Sequence, residues 1–479
     1  MESALFGSLV QVESQNSRLP SHPEKAVHRN RSNVSGGDPI ELTNVSRPTM
    51  AFSGATALDL GMSRSASLSD DMGAVEVLPS IFDSKGNKLR LAACCSMGFL
   101  GGLNDSAAGA LIPYMETHYG IGYGVVSLIF VGVALGFIMA APCVASLQNR
   151  LGLAKVFGLG ELLFIAGYIP IAATAPIPVI VISFFIVGFG CATNLAVYNV
   201  WLANHKEAAT ALGFVHGMYG VGGIVGPLIA TSMVSNGVLW SRFYLVTMGV
   251  AALNMAFTIL TFWKYEQETY IPQTAAETSP AGAQQLSAML LAFKTRVVLV
   301  GAMFIFAYQG AEVSISGWVI SFLIASRNGE PSRVGYVTSG FWAGITLGRF
   351  FLSPLGPRIG EKRFVYGLVV GSAIFELLVW LVPNVVGDAV AVAIVGLLLG
   401  PIYPAAAVVF TRNLSKKEQA SGLAVISAFG SSGGAIAPFT TGILAQVVGT
   451  FVLHPIAIGL FAVMILCWYC IPTPRKRAE

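Results

Sequence analysis

The amino-acid sequence predicts an all-α membrane protein with twelve transmembrane helices in two pseudo-symmetric bundles of six. Three observations support this fold class. Of the 479 residues 54% are hydrophobic and only 11% are charged, the apolar residues form long runs, and motifs of the first half recur in the second. So few charges exclude a soluble enzyme, and a scattered net charge of +4 does not indicate nucleic-acid binding.

Twelve apolar runs of about twenty residues can be drawn, each long enough at about 1.5 Å per residue to cross about 30 Å of hydrocarbon. The six cysteines lie inside these runs, where cysteine packs as a small hydrophobe. The predicted helices of the first half are 90–113, 123–147, 154–174, 178–203, 207–233 and 239–263. Those of the second half are 296–325, 333–355, 362–383, 386–411, 418–447 and 451–471.

The other segments are polar. Residues 1–87 lack apolar periodicity and the apolar core of a signal peptide, which predicts a disordered cytoplasmic tail. Residues 264–295 are polar and contain proline, as expected of a cytoplasmic linker between an N-terminal bundle at 88–263 and a C-terminal bundle at 296–471. Residues 472–479 form a basic cytoplasmic tail.

Basic residues beside the helix ends predict the orientation, because Lys and Arg are retained on the cytoplasmic side during insertion. When both termini are placed in the cytoplasm, nearly all of these residues fall on that side. Only Arg242, Arg327 and Arg333 are left outside. The sequence therefore predicts a multi-pass membrane protein with both termini cytoplasmic.

Matching motifs indicate that a six-helix unit is duplicated. Arg150, between predicted helices 2 and 3, matches Arg358 between helices 8 and 9, and GGIVGPLIA in helix 5 answers GGAIAPFTT in helix 11, which pairs Pro227 with Pro438. Collinear matches of this kind favour two related bundles with a binding site between them. Six residues are expected to have gating or structural roles: Arg150, Arg349, Arg358, Gly226, Pro227 and Pro438.

Two acids lie deep in predicted helices that the repeat makes equivalent. Asp105 in helix 1 and Glu312 in helix 7 are both about 23 Å from the cytoplasmic boundary at about 1.5 Å per residue. A charge at the bilayer centre costs at least about 2.5 kcal/mol on insertion scales, so each acid needs a partner or a purpose. We interpret both as proton-coupling sites. The alternative is that Ser or Asn neighbours tie each acid into helix packing.

Polar and aromatic residues near these acids are candidates for binding a hydroxylated substrate. Amides donate and accept hydrogen bonds, and tryptophan offers an apolar face to a ring, although it is as commonly an interfacial anchor. For the histidine of helix 5, a packing role is weighed slightly above a proton relay. The candidate substrate-binding residues are Asn104, Asn194, Tyr198, His216, Gln309, Trp318 and Trp342.

Motifs for other chemistry are absent from the sequence. There is no GxxxxGK(S/T) phosphate loop, no zinc-type Cys/His spacing and no serine elbow with a plausible triad. No cofactor, metal, nucleic acid or obligate protein partner is therefore expected. The expected partners are a small-molecule substrate, protons and the lipid bilayer, and energy for uphill movement would come from an ion gradient or from the substrate itself.

Six strings in the chain resemble the major facilitator superfamily, and within it the fucose-permease-like (fucose:proton symporter) branch in its fungal form. They are GGLNDSAAGALIPYM in helix 1, HGMYGVGGIVGP in helix 5, YQGAEVSISGW in helix 7, FWAGITLGR in helix 8, GPIYPAA in helix 10 and GSSGGAIAP in helix 11. The resemblance covers residues 88–471. It implies a central sugar-sized cavity, a proton-accepting carboxylate at Asp105 and a plasma-membrane location.

The chain departs from the family pattern at two places. Members such as the bacterial permease carry an acid in helix 4, where this chain has Asn194 and Asn199. By its placement, Glu312 is hypothesised to compensate. The superfamily also places an acid before the loop arginine, whereas Asn149 and Pro357 stand there in this chain, which puts the usual gate contact in question.

Three functional hypotheses follow. The first is a secondary transporter that moves a sugar or a related hydroxylated compound by alternating access, with Asp105 as the proton site. The second is an exporter of a secondary metabolite or a drug-like compound, favoured if the cavity is mainly aromatic and apolar. The third is a receptor or scaffold that keeps the fold without transport. Buried acids argue against the third hypothesis, because they are costly to retain in lipid.

Overall fold

The computed structural model describes residues 79–265 and 291–472, which contain twelve long helices and no β-strand. The first six are α1 (Lys85–Tyr119), α2 (Tyr123–Leu151), α3 (Leu153–Ala172), α4 (Ile177–Ala203), α5 (Ala208–Ser235) and α6 (Trp240–Phe262). The second six are α7 (Arg296–Arg327), α8 (Val337–Leu347), α9 (Glu361–Leu381), α10 (Val385–Asn413), α11 (Lys416–Val448) and α12 (Thr450–Cys470). The helical fold class predicted from the sequence is confirmed.

Nine helices of the described part are long and apolar enough to cross a membrane by length and composition alone. The other three are α1, α8 and α11. Helices α1 and α11 contain many Gly, Ala and Ser residues, which lowers their mean hydropathy. Helix α8 is short, because its α-helical geometry gives way to a π-helical turn after Leu347. All three make contacts between the two bundles, so part of their surface faces protein rather than lipid.

The chain is ordered before the predicted start of the first bundle. Helix α1 begins at Lys85, where the Oγ atom of Ser84 accepts a hydrogen bond from the Gly86 N–H. The segment 79–81, predicted to belong to the disordered tail, contacts the loop before α5, where the Lys206 N–H donates a hydrogen bond to the Pro79 carbonyl. Ile81 of this segment is fully buried. That burial was not apparent from the average polarity of the tail. Residues 1–78, most of the predicted linker and residues 473–479 lie outside the described part.

Both halves of the chain use the same internal packing. In the first half α1 packs on α5, α2 on α4 and α3 on α6, and in the second half α7 packs on α11, α8 on α10 and α9 on α12. Each pair in one bundle therefore has a partner pair six helices later. This equivalence is what the predicted repeat leads one to expect, because two copies of one six-helix unit pack their helices in the same pairs.

The two bundles meet through α1 with α7, α2 with α11, and α5 with α8. We call the face that carries Lys85 and Cys470 the terminal face, and the other the opposite face. Many of the contacts between bundles lie towards the opposite face. There the backbone of α1 at Gly109 approaches the backbone of α7 at Ser316, and Thr231 near the end of α5 contacts Gly335 before α8. In this conformation the opposite face is closed.

Two helices are interrupted where they approach the centre of the molecule. Helix α8 widens into a π-helical turn at Gly348–Leu352, and α10 is broken between its segments Val385–Leu399 and Ile402–Asn413. Wide turns of this kind shift the direction of the side chains that follow and are common at functional sites. The wide turn that follows α8 contains Arg349, a half-buried basic residue.

Candidate functional site

Asp105 lies on α1, partly buried, and both of its carboxylate oxygens accept hydrogen bonds. The Nδ2 group of Asn104 donates to Oδ1 at 2.9 Å, and the hydroxyl of Tyr219 on α5 donates to Oδ2 at 3.1 Å. Asn104 is held in turn by Tyr168 of α3, whose hydroxyl donates to its Oδ1 at 3.0 Å. In the described part of the chain, no basic side chain lies within ion-pair distance of Asp105. Neutral donors alone therefore stabilise its charged form.

A second polar cluster joins α7 to α8. Glu312 is 1% exposed and Tyr308, one turn earlier on α7, is fully buried. Arg349, in the wide turn of α8, lies within electrostatic range of both. The Glu312 Oε2, Tyr308 hydroxyl and Arg349 Nη2 atoms are buried and interact electrostatically, but none has a partner with full hydrogen-bond geometry among the described residues. Such groups are costly unless something bonds to them, so this cluster is suited to receive a polar ligand.

The two clusters meet at α5. Tyr219, which donates to Asp105, also lies within electrostatic range of Arg349, and its ring packs edge-on against Trp342 with centroids 6.0 Å apart. His216, one turn earlier on α5, is likewise within range of Arg349. The site therefore contains charged groups from both bundles, connected through a helix that belongs to one of them.

Four of the predicted substrate-binding residues lie in or beside these clusters. Asn104 bonds to Asp105 directly, and His216 faces Arg349. Trp342 contacts Tyr219, and Gln309 is fully buried next to Tyr308 in the sequence of α7. The structure thus brings together side chains that the chain separates by more than two hundred positions.

Three other candidates lie elsewhere. Asn194 points to α3 and donates a hydrogen bond to Glu161 Oε1 at 3.0 Å, inside the N-terminal bundle. Trp318 donates from Nε1 to the carbonyl of Pro438 at 2.9 Å, and its ring packs against α2 where the opposite face closes. Tyr198 is buried on α4 in the N-terminal bundle. Packing within or between bundles accounts for the positions of the first two.

The residues with predicted gating or structural roles are dispersed. Arg150 and Arg358 are exposed near the ends of α2 and of the segment after α8. Gly226 lets α5 approach α1 at Leu103 and Ser106, and Pro227 and Pro438 lie inside α5 and α11. The structural role predicted for Arg349 near the end of helix 8 stays a prediction. The residue lies in the wide turn that follows α8 and interacts electrostatically with Tyr308 and Glu312.

Tyr219 and Tyr308 lie in the site but were not among the predicted site residues. Tyr219 lies within HGMYGVGGIVGP, and Tyr308 precedes Gln309 in YQGAEVSISGW, so both were inside motifs that were already singled out. A tyrosine in an apolar helix gives no sign of which neighbour its hydroxyl reaches. Only the packing of α5 against α1 and α8 shows that Tyr219 lies between Asp105 and Arg349.

A separate charged cluster lies in the C-terminal bundle near the opposite face. Arg327 at the end of α7 donates to Asp388 Oδ2 at 3.1 Å and to two carbonyls of α9. Beside this pair, His454 Nδ1 lies 2.7 Å from Glu376 Oε1, and both side chains are buried. The cluster ties the outer ends of α7, α9, α10 and α12 together. The sequence analysis gave no role to three of its members, Asp388, Glu376 and His454.

Comparison with known proteins decides the family. The family model described as Major Facilitator Superfamily matches residues 94–328 and 310–479, which together cover most of the chain. The chain belongs to the major facilitator superfamily. This membership and the helical architecture identify the protein as a membrane transporter rather than an enzyme.

Several known proteins are similar in sequence to the chain. "Bypass of stop codon protein 6" of Saccharomyces cerevisiae is 26% identical over 422 residues, 80% of each chain. A "Glucose/galactose transporter" of Brucella abortus is 24% identical over 372 residues, 74% of this chain and 85% of the relative. A shorter match, to "Multidrug efflux pump SdrM" of Staphylococcus aureus, is 24% identical over 174 residues, 36% of this chain and 38% of the pump.

Solved structures of two transporters share the fold. The nucleoside transporter NupG superposes with a TM-score of 0.63 at 14% identity, covering 81% of this chain and 99% of that one. A D-xylose-proton symporter superposes with a TM-score of 0.65 at 13% identity, covering 81% and 98%. At such low identity the likeness establishes the fold alone.

Proposed function

We propose that the protein moves a small polar solute, a sugar or a related hydroxylated compound, by proton-coupled alternating access. One observation carries the proposal: Asp105 is partly buried at the junction of the bundles and is bonded only to neutral donors, Asn104 and Tyr219. A carboxylate held by a basic partner gives up that partner when it binds a proton. Asp105 loses no ion pair on protonation, so it can take up and release a proton within a transport cycle.

The substrate class rests on the polar lining and on the relatives. Asn104, Gln309, Glu312, Tyr308 and Arg349 offer both donors and acceptors, which suits hydroxyl groups. The similarity to a glucose/galactose transporter favours the same class. We assign the chain to the fucose-permease-like branch in its fungal form, placed in the plasma membrane with both termini in the cytoplasm.

Transport in reconstituted vesicles tests this proposal. A panel of labelled hexoses, pentoses, polyols and nucleosides is offered at two external pH values, with the proton gradient imposed or collapsed. Asp105→Asn should abolish accumulation against a gradient while exchange of solute across the membrane continues in part. Glu330→Gln is the matched control, because Glu330 lies in an exposed loop before α8, where it pairs with Arg333 and accepts a hydrogen bond from the Ser332 hydroxyl. Unchanged uphill uptake in Asp105→Asn contradicts the proposal.

A second candidate function is export of a secondary metabolite or a drug-like compound. It is favoured by the aromatic rings near the site, where Tyr219 meets Trp342 and Tyr308 lies 6.0 Å from Tyr403, and by the partial similarity to an efflux pump. The same vesicles separate the two functions. A proton symporter accumulates solute inside the vesicles when the imposed gradient drives protons inward. A proton-exchanging exporter accumulates solute inside the vesicles when the gradient drives protons outward.

A further inference from the structure

Tyr219 occupies the place where the two bundles and the acid meet. Helix α5 packs on α1 within its own bundle and on α8 of the other. The Tyr219 hydroxyl donates to Asp105 Oδ2 at 3.1 Å, while its ring packs against Trp342 of α8 and Arg349 lies within electrostatic range. On either side, Gly220 contacts Thr346 and Gly223 contacts Trp342 across the same seam.

A hydroxyl in this position responds to the charge of its acceptor. When Asp105 is ionised, the hydrogen bond from Tyr219 is charge-assisted and the phenol oxygen becomes more negative. A more negative oxygen attracts the Arg349 guanidinium of the other bundle more strongly. When Asp105 is protonated, the hydrogen bond weakens and so does the attraction across the seam. The strength of the α5–α8 contact is therefore linked to the proton on Asp105.

We propose that Tyr219 is a positioning residue that transmits the charge of Asp105 to the seam between α5 and α8, and so makes opening of the opposite face depend on protonation. The proposal rests on the proposed function, in which Asp105 is the proton site. It adds the physical link between that site and the movement of the bundles. Tyr219 itself donates a hydrogen bond throughout and is not required to lose its proton.

Other titratable groups surround the pair and belong to the same electrostatic environment. Tyr168 of α3 lies within range of Asp105, and it is also within range of Glu161 on the same helix. The C-terminal bundle contributes Tyr308 and Glu312 of α7, and α5 itself contributes His216. The groups that face Asp105, Tyr219 and Arg349 from the elements packed against them are Tyr168, Glu161, His216, Tyr308 and Glu312.

The test measures opening of the opposite face through a cysteine introduced at Thr231. This side chain is 1% exposed and contacts Gly335, so it becomes reactive only when α5 and α8 separate. Labelling by a water-soluble maleimide is followed by intact-protein mass spectrometry, and the signal of the six native cysteines is subtracted with the chain that lacks Thr231→Cys. Gain or loss of a hydrogen bond to a charged group should change the equilibrium between the open and the closed opposite face by about tenfold or more.

At each pH the labelling rate of the Thr231→Cys protein is divided by that of a small free thiol, because the reacting thiolate becomes more abundant as the pH rises. We expect this ratio to change about tenfold between an acidic and an alkaline pH. Adding Tyr219→Phe should remove most of this dependence, whereas Tyr244→Phe should leave it intact. Tyr244 is the matched control, since it is a buried tyrosine of the same bundle whose hydroxyl has no partner in the described residues. A purely structural role for Tyr219 would alter labelling equally at both pH values.

Each remaining outcome decides between the two proposals. If Asp105→Asn abolishes the pH dependence and Tyr219→Phe retains it, the role of Tyr219 is overturned while Asp105 remains the proton site. If Asp105→Asn itself retains the dependence, the proposed proton site fails and the role of Tyr219 fails with it. Should Tyr219→Phe not fold, Arg349→Met tests the other end of the link, and a retained pH dependence there overturns the proposal.

Discussion

Replacing Gly109 with alanine should open the opposite face without unfolding either bundle. A Cβ atom at Gly109 would collide with the Ser316 carbonyl oxygen of α7, and would lie 3.2 Å from the carbonyl carbon and 3.3 Å from the Gly317 Cα. All three are backbone atoms, so no side-chain rotation relieves the collision. Helices α1 and α7 belong to different bundles and need not stay in contact in every conformation.

The magnitude follows from the geometry. The two helices must separate by about 1 Å to restore an ordinary contact, and overpacking of this kind costs about 1–3 kcal/mol. That free energy shifts a two-state conformational equilibrium by about 5- to 150-fold. Because only the closed conformation is penalised, the shift should favour the conformation in which the opposite face is open.

Labelling of Thr231→Cys again reports the opening, with two matched variants beside Gly109→Ala. Gly222→Ala places a Cβ against the backbone of α1, 2.9 Å from the Leu103 amide nitrogen, within one bundle. It should lower the melting temperature without raising the labelling rate. Gly124→Ala meets only an ordinary contact, 3.8 Å from the Ile443 Cα, and should change neither.

An unaltered labelling rate in folded Gly109→Ala protein would refute the reasoning. It would mean that α1 and α7 tolerate the added atom by a local shift, and that their approach at Gly109 does not control closure. A fall in melting temperature as large as that of Gly222→Ala would contradict it in a different way. In that case the α1–α7 contact would be part of the stable fold rather than a feature of one conformation.

Two further predictions concern buried and terminal contacts. Partial desolvation acts to raise the pKa of Glu207, but hydrogen bonds from the Ile81 N–H and the Ser80 hydroxyl outweigh it, so the pKa lies below its usual 4.5. The contact therefore stabilises the fold above about pH 4.5 and is lost as the pH falls through the lower pKa that Glu207 has in the folded protein. Glu207→Gln should speed protease cleavage near Ile81 at neutral pH. Equal cleavage of the variant and the unaltered protein would refute this. His454→Phe should lower the free energy of unfolding by about 1–3 kcal/mol, because Glu376 Oε1 loses its partner. Adding Glu376→Leu should recover part of that loss in a thermal melt, and a further loss would argue against the unpaired carboxyl as its cause.

Much of the helical architecture was predictable from local sequence. The apolar run at 154–174 became α3 at Leu153–Ala172, and the run at 178–203 became α4 at Ile177–Ala203. A run of apolar residues long enough to cross a bilayer must form helix, because backbone groups in lipid have no other hydrogen-bond partners. The start of α1 was less predictable. Residues 79–87 are too polar to indicate burial, and their order depends on a distant loop at Glu207.

The candidate site was predictable only in part. Asp105 and Asn104 are adjacent in the sequence, and the cost of a charge in lipid singles the acid out without any structure. The wide turn at Gly348–Leu352, which contains Arg349, was not predicted from the sequence. A break in helical geometry of this kind leaves no clear mark in a hydropathy pattern.

The sequence alone determined the membrane-spanning class, because this depends on the free energy of transferring residues into lipid. It also predicted the duplication and the depth of Asp105 from spacing along the chain. The tertiary structure decided which helix faces meet. The rotation of each helix about its axis is set by packing against segments far away in the chain. For that reason only the folded molecule shows Tyr219 between Asp105 and Arg349, and Trp318 at the closed seam.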